Sequence, residues 1–308
     1  MKVEPGVVMR VEAPAKVNLL LRILDRSPDG YHHLETLFQA VGLSDSLTLE
    51  VVEGDRDTLE VRGADVGPAA DNLVTRAVAR FREATGFGPA LRVVLEKRIP
   101  AGAGLGGGSS DAGAVLRALN LLCGTPLTSS EVMALGGGLG ADVAFFSGSA
   151  ALALGEGRGD RLRPLPPLPV RPVILGLPPV HVATGPAYGA LALARTGGLP
   201  VPRPLLQGRA PADWDQVAAV AVNDFEAVIP GAFPPVGEAL RALRLAGPPL
   251  AHLSGSGAAV FAVLPPGGDG TGMEEELRSR APGIRWVVTA TLDELPLPER
   301  VEPEARIH

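Results

Sequence analysis

Apolar and polar residues alternate along the first part of the chain with the period of two that is typical of β-strands. The alternation covers residues 7–11 and 16–23 and returns at residues 47–52 and 58–61. Turn residues separate these segments, so we predict two early strands and then a hairpin. Residues 91–99, which are rich in Val and Leu, predict a further strand.

Helical spacing of apolar residues begins further along the chain. Asp71 is suited to cap a helix over residues 73–84. A second helix is predicted over residues 109–122, where Ala, Leu and Val recur at helical intervals. Thr128 and Glu131 have the spacing of a capping box, which predicts a third helix.

A proline-rich segment, residues 163–172, interrupts this pattern, because RPLPPLPVRP cannot continue a helix or a central strand. We take it as the boundary between two domains, residues 1–163 and residues 164–308. Beyond it we predict a surface loop over residues 197–211 and a frayed tail over residues 300–308. The regular elements predicted there are strands at residues 173–177, 258–264 and 284–288 and helices at residues 186–194 and 236–245, and residues 273–280 lead toward the last strand. Partly segregated strands and helices indicate two packed α+β domains.

Composition and charge restrict the classes of function. The 308 residues include 46% hydrophobic and 20% charged residues, which is ordinary for a globular protein. A formal charge of -6 provides no general attraction to nucleic acid or to an anionic membrane, so we expect neither as a partner. Cys123 alone cannot form an internal disulfide, and neither a signal peptide nor a membrane-spanning run is evident. We therefore expect a cytoplasmic location.

The strongest local signal is the glycine-rich segment IPAGAGLGGGSSDAGAVLRAL, in which a strand leads through glycines into a helix near Ser109. Glycines accept positive φ and let backbone amides approach a phosphate, and the helix N-terminus adds a partial positive charge. Gly102, Gly104 and Gly107 also have the G-x-G-x-x-G spacing of a dinucleotide site, which is a weak signal by itself. A Walker A lysine and the H-R-D and D-F-G motifs of protein kinases are absent. A phosphate loop, a dinucleotide loop and a flexible turn without a ligand all remain open on this pattern.

This segment resembles the ATP loop of the GHMP kinases, the family named for galactokinase, homoserine kinase, mevalonate kinase and phosphomevalonate kinase. The family pattern P-x-x-x-G-L-G/S-S/G-S is followed from Pro100 to Ser110, and a second glycine-rich segment, LSGSGAAVFAV, matches at residues 253–263. The resemblance implies an α+β fold of two domains. The N-terminal domain would be ribosomal-protein-S5-like, the C-terminal domain ferredoxin-like, and a deep cleft would lie between them. ATP would be the phosphate donor, with Mg²⁺ arriving on the nucleotide and no metal bound by the protein alone.

Four further segments are similar to one branch of that family. They are APAKVNLLLRI from residue 13, DGYHHLETLF from residue 29, DNLV from residue 71 and LGADVAFF from residue 139. That branch phosphorylates the 2-hydroxyl of a small molecule, CDP-methylerythritol, on the non-mevalonate route to isoprenoid precursors, and the resemblance implies this reaction. The alternatives are another GHMP kinase with a different alcohol acceptor, a dinucleotide-binding oxidoreductase, and a nucleotide-binding regulator without turnover.

The resemblance also implies roles at the donor side of the site. Asp142 would accept the proton of the acceptor hydroxyl, while Lys16 would keep Asp142 ionised and stabilise charge on the transferring phosphoryl group. The residues implied in ATP binding are Asn72, Pro100, Ala101, Gly102, Ala103, Gly104, Leu105, Gly106, Gly107, Gly108, Ser109 and Ser110.

At the acceptor side, the resemblance implies that Tyr31 stacks on the cytosine and that His32 binds the edge of the base. Tyr188 would be the second stacking face, and Thr184 would be a further contact. Asn18, one alternation step from Lys16, would point into the same cleft.

Overall fold

The computed structural model describes residues 3–26, 32–64 and 67–301. Its strands are β1 (Val8–Arg26), β2 (His32–Val52), β3 (Thr58–Arg62), β4 (Ala90–Glu96), β5 (Leu152–Glu156), β6 (Arg161–Pro164), β7 (Pro172–Leu177), β8 (Val222–Asn223), β9 (Leu250–Leu253), β10 (Val260–Val263), β11 (Arg285–Ala290) and β12 (Glu299–Val301). Its α-helices are α1 (Leu73–Thr85), α2 (Gly107–Leu122), α3 (Ser129–Gly137), α4 (Ala141–Ser147), α5 (Thr184–Thr196), α6 (Trp214–Val220), α7 (Ile229–Ala232), α8 (Pro234–Leu245) and α9 (Gly270–Arg280). Short 3₁₀ turns lie at Ala69–Asp71 and Asp224–Ala227.

The first sheet is organised around two long antiparallel strands, β1 and β2. It has the order β12-β1-β2-β4-β3, and β5, β6 and β8 extend it beside these strands. The two early strands that we predicted are one continuous strand, β1, whose register with β2 shifts near Pro14 and Asn18. The predicted hairpin is wrong, because β3 pairs in parallel with β4 and β4 lies between it and β2. Alternation identifies a strand but does not identify its neighbour.

The second sheet has four antiparallel strands in the order β11-β7-β10-β9. Helices α5, α8 and α9 contribute apolar residues to the core on one side of it, among them Leu191, Leu240 and Leu277. A separate apolar layer joins the two sheets and includes Val17 of β1 and Phe261 of β10. The α+β architecture predicted from the sequence is confirmed.

The passage from the first sheet to the second falls between Pro164 at the end of β6 and Pro172 at the start of β7. Two short strands from beyond that point return to the first sheet. β8 pairs in parallel with β1 at Leu20 and Leu21, and β12 pairs antiparallel with the start of β1. The division into residues 1–163 and 164–308 stays a proposal about folding units.

Several local predictions can be compared with the structure. The capping box at Thr128 and Glu131 is confirmed, with both reciprocal hydrogen bonds present. The cap of α1 is Asn72 rather than Asp71, and its side chain accepts from the backbone of Val74 at 2.9 Å. The predicted tail is wrong at its beginning, because residues 299–301 form β12, and residues 302–308 lie outside the described residues.

The predicted loop at residues 197–211 contains neither helix nor strand, but β2 anchors it. The buried Glu35 carboxylate accepts hydrogen bonds from the backbone amides of Leu205, Leu206 and Gln207, at 2.6 to 3.0 Å. Within the described ranges, no helix combines the length and apolar character that a bilayer crossing requires.

Candidate active site

A cleft of about 590 Å³ lies where the two sheets and the glycine-rich segments meet. One wall is the segment from Pro100 to Ser109, and another is formed by Gly255 and Ser256. Strands β1 and β2 contribute the floor through Lys16, Asn18, Thr36 and Phe38, while α4 and α5 close the sides. Segments far apart in the sequence therefore line one cavity.

The predicted ATP loop leads directly into α2. Gly102, Gly104 and Gly106 all have positive φ, a conformation that side chains rarely adopt. At Gly104 a Cβ would also lie 2.2 Å from the Ser254 carbonyl oxygen, so only glycine permits this close approach of the two glycine-rich segments. The first turn of α2 leaves amide groups without helical partners, and its residues Gly107, Gly108 and Ser109 line the cleft. Amides in this arrangement bind anions such as phosphate.

Hydrogen bonds hold the ATP loop against the second glycine-rich segment. The carbonyl oxygen of Gly104 accepts from the Ser254 hydroxyl and from the Lys16 ammonium, both at 2.9 Å. The carbonyl of Ala103 accepts from the amide of Ala259 at 2.9 Å. The loop is thus fixed before any ligand binds, which lowers the entropic cost of ordering it around a phosphate.

Lys16 and Asp142 meet in the cleft although 126 positions separate them in the sequence. Lys16 lies on β1 and its side chain is almost fully buried, so its ammonium needs polar partners. It donates to Asn18 Oδ1 at 2.7 Å and lies 3.6 Å from Asp142 Oδ2. Asp142 lies in the first turn of α4, and about a third of its side chain (34%) stays exposed. That carboxylate is therefore both paired and accessible to a substrate hydroxyl.

The other end of the cleft carries aromatic rings. The rings of His32 and Tyr188 stack with centroids 5.0 Å apart, and Phe225 packs edge-on against Tyr188 at the same distance. Burial and the nearby Asp142 raise the pKa of Tyr188 to about 12, so its phenol is protonated at neutral pH. Such a surface suits a flat base, which would stack on the rings.

Polar groups connect the two ends of the cleft. The side-chain oxygen of Asn18 accepts a hydrogen bond from the Lys16 ammonium, and its side-chain nitrogen donates to the Thr36 hydroxyl at 2.8 Å. Thr184 begins α5, and its hydroxyl lies 3.3 Å from that of Ser256. These polar groups lie between the aromatic surface and the ATP loop, and they offer hydrogen bonds to a hydroxylated ligand.

The structure brings most of the predicted site residues to this one cleft. Those that line it are Lys16, Asn18, Asn72, Pro100, Ala101, Gly102, Ala103, Gly104, Gly106, Gly107, Gly108, Ser109, Asp142, Thr184 and Tyr188. Leu105 and Ser110 lie in the same loop but are buried beneath the lining. His32 reaches the cleft through its stacking on Tyr188. Tyr31 lies outside the described residues.

Lys97 is a lining residue that the sequence analysis missed. It is buried, and its ammonium pairs with Asp45 and, at 2.7 Å, with Asp111 of α2. Asp45 also accepts from the amides of Arg98 and, at 2.8 Å, Ile99. This buried cluster therefore ties the end of β4 and the start of the ATP loop to α2. A possible signal was the scarcity of lysine, since the chain has only three among its 28 basic residues.

Asp111 makes the cluster sensitive to pH. Burial, together with the neighbouring Asp45, outweighs the attraction of Lys97 and raises the pKa of Asp111 from 3.8 to about 7. The folded protein therefore keeps a proton that the unfolded chain releases above about pH 4. Because the folded state then binds more protons, this group stabilises the fold less and less as the pH rises through the range up to about 7.

Asp111→Asn removes this titration while nearly preserving the shape of the side chain. We expect the free energy of unfolding of the variant, relative to that of the wild type, to increase from about pH 4 to about pH 7 and to stay level above pH 7. The change should not exceed about 1.4 kcal/mol per pH unit, the limit for one proton. Urea unfolding of both proteins across this range measures it, and other titrating groups cancel in the difference. A difference that stays constant with pH would show that Asp111 does not titrate there.

No group of three or more His, Cys, Asp or Glu side chains within residues 3–26, 32–64 and 67–301 is arranged to hold a metal ion. Oxygen donors for a cation carried by a nucleotide are nevertheless present in the cleft. The Ser109 hydroxyl and the Asp142 carboxylate are of the kind that Mg²⁺ takes as ligands.

Comparison with known proteins agrees with this geometry. Residues 72–154 match the model of the GHMP kinases N terminal domain. A 4-diphosphocytidyl-2-C-methyl-D-erythritol kinase of Solibacter usitatus is 41% identical over 259 residues, which cover 82% of this chain and 80% of that protein. The enzyme of the same name from Moorella thermoacetica is 38% identical over 290 residues, covering 92% of this chain and 99% of the relative.

Solved structures lead to the same family. A crystal structure of 4-(cytidine 5'-diphospho)-2C-methyl-D-erythritol kinase superposes with a TM-score of 0.74 at 35% identity, covering 92% of this chain and 98% of that one. A homoserine kinase from Cytophaga hutchinsonii superposes with a TM-score of 0.68 at 20% identity, covering 98% of this chain and 99% of that one, which shows the shared fold alone. Given the identity and coverage of these relatives, the chain belongs to the 4-diphosphocytidyl-2-C-methyl-D-erythritol kinases, a branch of the GHMP kinases.

Proposed function

We propose that the protein transfers the γ-phosphoryl group of ATP to the 2-hydroxyl of CDP-methylerythritol, giving the 2-phosphate and ADP. The reaction belongs to the non-mevalonate pathway of isoprenoid precursor biosynthesis, and a cytoplasmic location suits its use of ATP. The observation that carries the proposal is the approach of Lys16 and Asp142 to 3.6 Å between an anion-binding helix N-terminus and an aromatic surface. Donor and acceptor would meet at that pair.

On the donor side, the amides of the loop and of the first turn of α2 would bind the phosphates. Asn72 at the start of α1 lies on the same side of the cleft and would contact the nucleotide. Mg²⁺ would arrive with ATP, where it neutralises part of the phosphate charge, and the Ser109 hydroxyl in the cleft lining would offer it an oxygen ligand. Leu105 and Ser110 are buried beneath the loop, where they would hold it in place rather than contact the nucleotide.

On the acceptor side, the cytosine would stack against this aromatic surface, with His32 binding the edge of the base. The rings of His32 and Tyr188 already stack on each other at 5.0 Å, so the base would not lie between them. Tyr31, next to His32 in the sequence, is proposed as a further stacking face. Asn18, Thr36 and Thr184 offer hydrogen bonds along the path from the base to Asp142. Stacking tolerates every base, so these polar groups would supply the selectivity.

In the chemical step, Asp142 would take the proton of the acceptor hydroxyl as the oxygen attacks the γ-phosphorus. Lys16 would stabilise the negative charge on the transferring group, and its bonds to Asn18 and Gly104 hold it in place for this. Phosphoryl transfer passes through a loose transition state, so alignment and charge stabilisation account for most of the rate.

The test is ADP release by the purified protein with ATP, Mg²⁺ and CDP-methylerythritol. Mevalonate, galactose and homoserine serve as parallel acceptors, because another GHMP kinase would prefer one of them. We expect ADP release with CDP-methylerythritol and with none of the other three acceptors. Phosphorus NMR of the product should place the new phosphate on the 2-hydroxyl. Release with another acceptor only would contradict the assigned substrate, and binding of NAD(H) without any ADP release would favour the oxidoreductase alternative.

A further inference from the structure

The segment from Asn223 to Glu226 contacts the second glycine-rich segment, the end of β1 and helix α5, although no motif in the sequence analysis included it. It begins as β8, which pairs in parallel with β1, and continues as a 3₁₀ turn. The Asn223 side chain accepts from the amide of Phe225 at 3.0 Å, which starts that turn. Four consecutive side chains then contact three neighbouring parts of the fold.

Two of these side chains hold the second glycine-rich segment. The buried side-chain nitrogen of Asn223 donates to the backbone carbonyls of Leu253 and Gly255, both at 2.8 Å. Glu226 accepts from the amide of Leu253 at 2.8 Å and contacts His252 at 3.0 Å. These bonds support the wall of the cleft that faces the ATP loop.

Asp224 holds the acceptor side. One of its carboxylate oxygens accepts from the amide of Ile23 at 2.7 Å and lies 3.5 Å from the guanidinium of Arg195. The other accepts from Arg22 at 3.1 Å. Arg195 in turn donates to the carbonyls of Ile23 and Leu24. The end of β1 and the last turn of α5 are therefore joined through one largely buried carboxylate.

This junction lies behind the aromatic surface. The end of β1 pairs with the start of β2, which carries His32, and α5 carries Tyr188. Phe225, the residue after Asp224, packs edge-on against the Tyr188 ring. The separation of His32 and Tyr188 thus depends on how β1 and α5 are held together, and Asp224 with Arg195 makes the polar part of that connection.

We propose that Asp224 is a positioning residue for the acceptor: through Arg22, Arg195 and the Ile23 amide it sets the spacing of the aromatic rings that receive the base. The inference rests on the proposed function, since it concerns the acceptor of that reaction. Asp224 itself is not part of the cleft lining, and its partners Arg22, Ile23 and Arg195 do not belong to the ATP loop. Its loss should therefore weaken acceptor binding and leave ATP binding unaffected.

The experiment compares Asp224→Asn with a matched control, Asp57→Asn. Asp57 also accepts from a backbone amide, that of Leu91 at 2.9 Å, and from an arginine, Arg82 at 2.7 Å, but these partners belong to β4 and α1 and not to the elements that carry the aromatic rings. We expect Asp224→Asn to raise the KM for CDP-methylerythritol about 10-fold and to change the KM for ATP less than about 2-fold. Asp57→Asn should change neither constant.

Arg195→Lys provides a milder variant in case Asp224→Asn folds poorly. It keeps the charge but loses the planar fork that reaches Ile23, Leu24 and Asp224, so the acceptor KM should rise by a smaller factor in the same direction. A parallel rise of both KM values, or no rise of the acceptor KM in either variant, would overturn the inference. A wild-type protein that releases no ADP with CDP-methylerythritol would instead overturn the proposed function, and this inference with it.

Discussion

Asp142→Asn is expected to lower the kcat of ADP release by about 10²- to 10⁴-fold, the usual contribution of a general base. The amide has the size of the carboxylate but cannot take the proton from the acceptor hydroxyl. Lys16 would keep its hydrogen bonds to Asn18 and Gly104, so the cleft should retain its shape. The affinity for ATP should change little, because the amides of the ATP loop are untouched.

Two measurements separate the possible outcomes for Asp142→Asn. Steady-state ADP release with both substrates saturating gives kcat, and calorimetric titration with ATP gives the affinity. Asp215→Asn is a suitable control, because this exposed aspartate also lies in the first turn of a helix, α6, yet is not part of the cleft lining. Near-normal turnover of Asp142→Asn would remove this residue from the mechanism. A joint loss of turnover and ATP affinity would indicate a role in binding the nucleotide.

How much of the site was predictable depends on whether a residue's function could be inferred from its own segment. The ATP loop could be predicted because glycines, a preceding strand and a following helix all lie within about twenty residues of the sequence. The common face of Lys16 and Asn18 followed from alternation, and β1 confirms that they share a strand. The pairing of Lys16 with Asp142 came only from family resemblance, because nothing in either segment identifies the other.

The residues that were missed act through partners far along the chain. Lys97 lies between Glu96 and Arg98 and resembles a surface lysine, but the fold brings Asp45 and Asp111 to it from 52 and 14 positions away. Asp224 looks like an ordinary turn residue, yet its main partners belong to β1, about 200 positions earlier. Pairings of this kind depend on how sheets pack, which hydrophobic periodicity does not encode. The neighbour of β3 was mistaken for the same reason.

Substitution of Lys97 in its buried cluster with Asp45 and Asp111 is expected to lower the free energy of unfolding strongly. Lys97→Met removes a buried ammonium that sits between the carboxylates of Asp45 and Asp111. Breaking a buried ion pair from one side leaves uncompensated charge, which costs about 3–5 kcal/mol. Methionine has a similar length and no charge, so loss of packing contributes little. We therefore expect the free energy of unfolding, measured by urea denaturation at pH 7.5, to fall by that amount.

Arg62→Met is the matched control for Lys97→Met, because Arg62 pairs with Glu60 and Glu96 on the protein surface. Exposed pairs of this kind contribute at most about 1 kcal/mol. Combining Lys97→Met with Asp111→Asn should recover part of the lost stability, since Asp45 then faces a neutral amide and still accepts from the Arg98 and Ile99 amides. If Lys97→Met costs no more than Arg62→Met, the ammonium does not hold the two carboxylates together. The start of the ATP loop must then be fixed by the Asp45 backbone contacts alone.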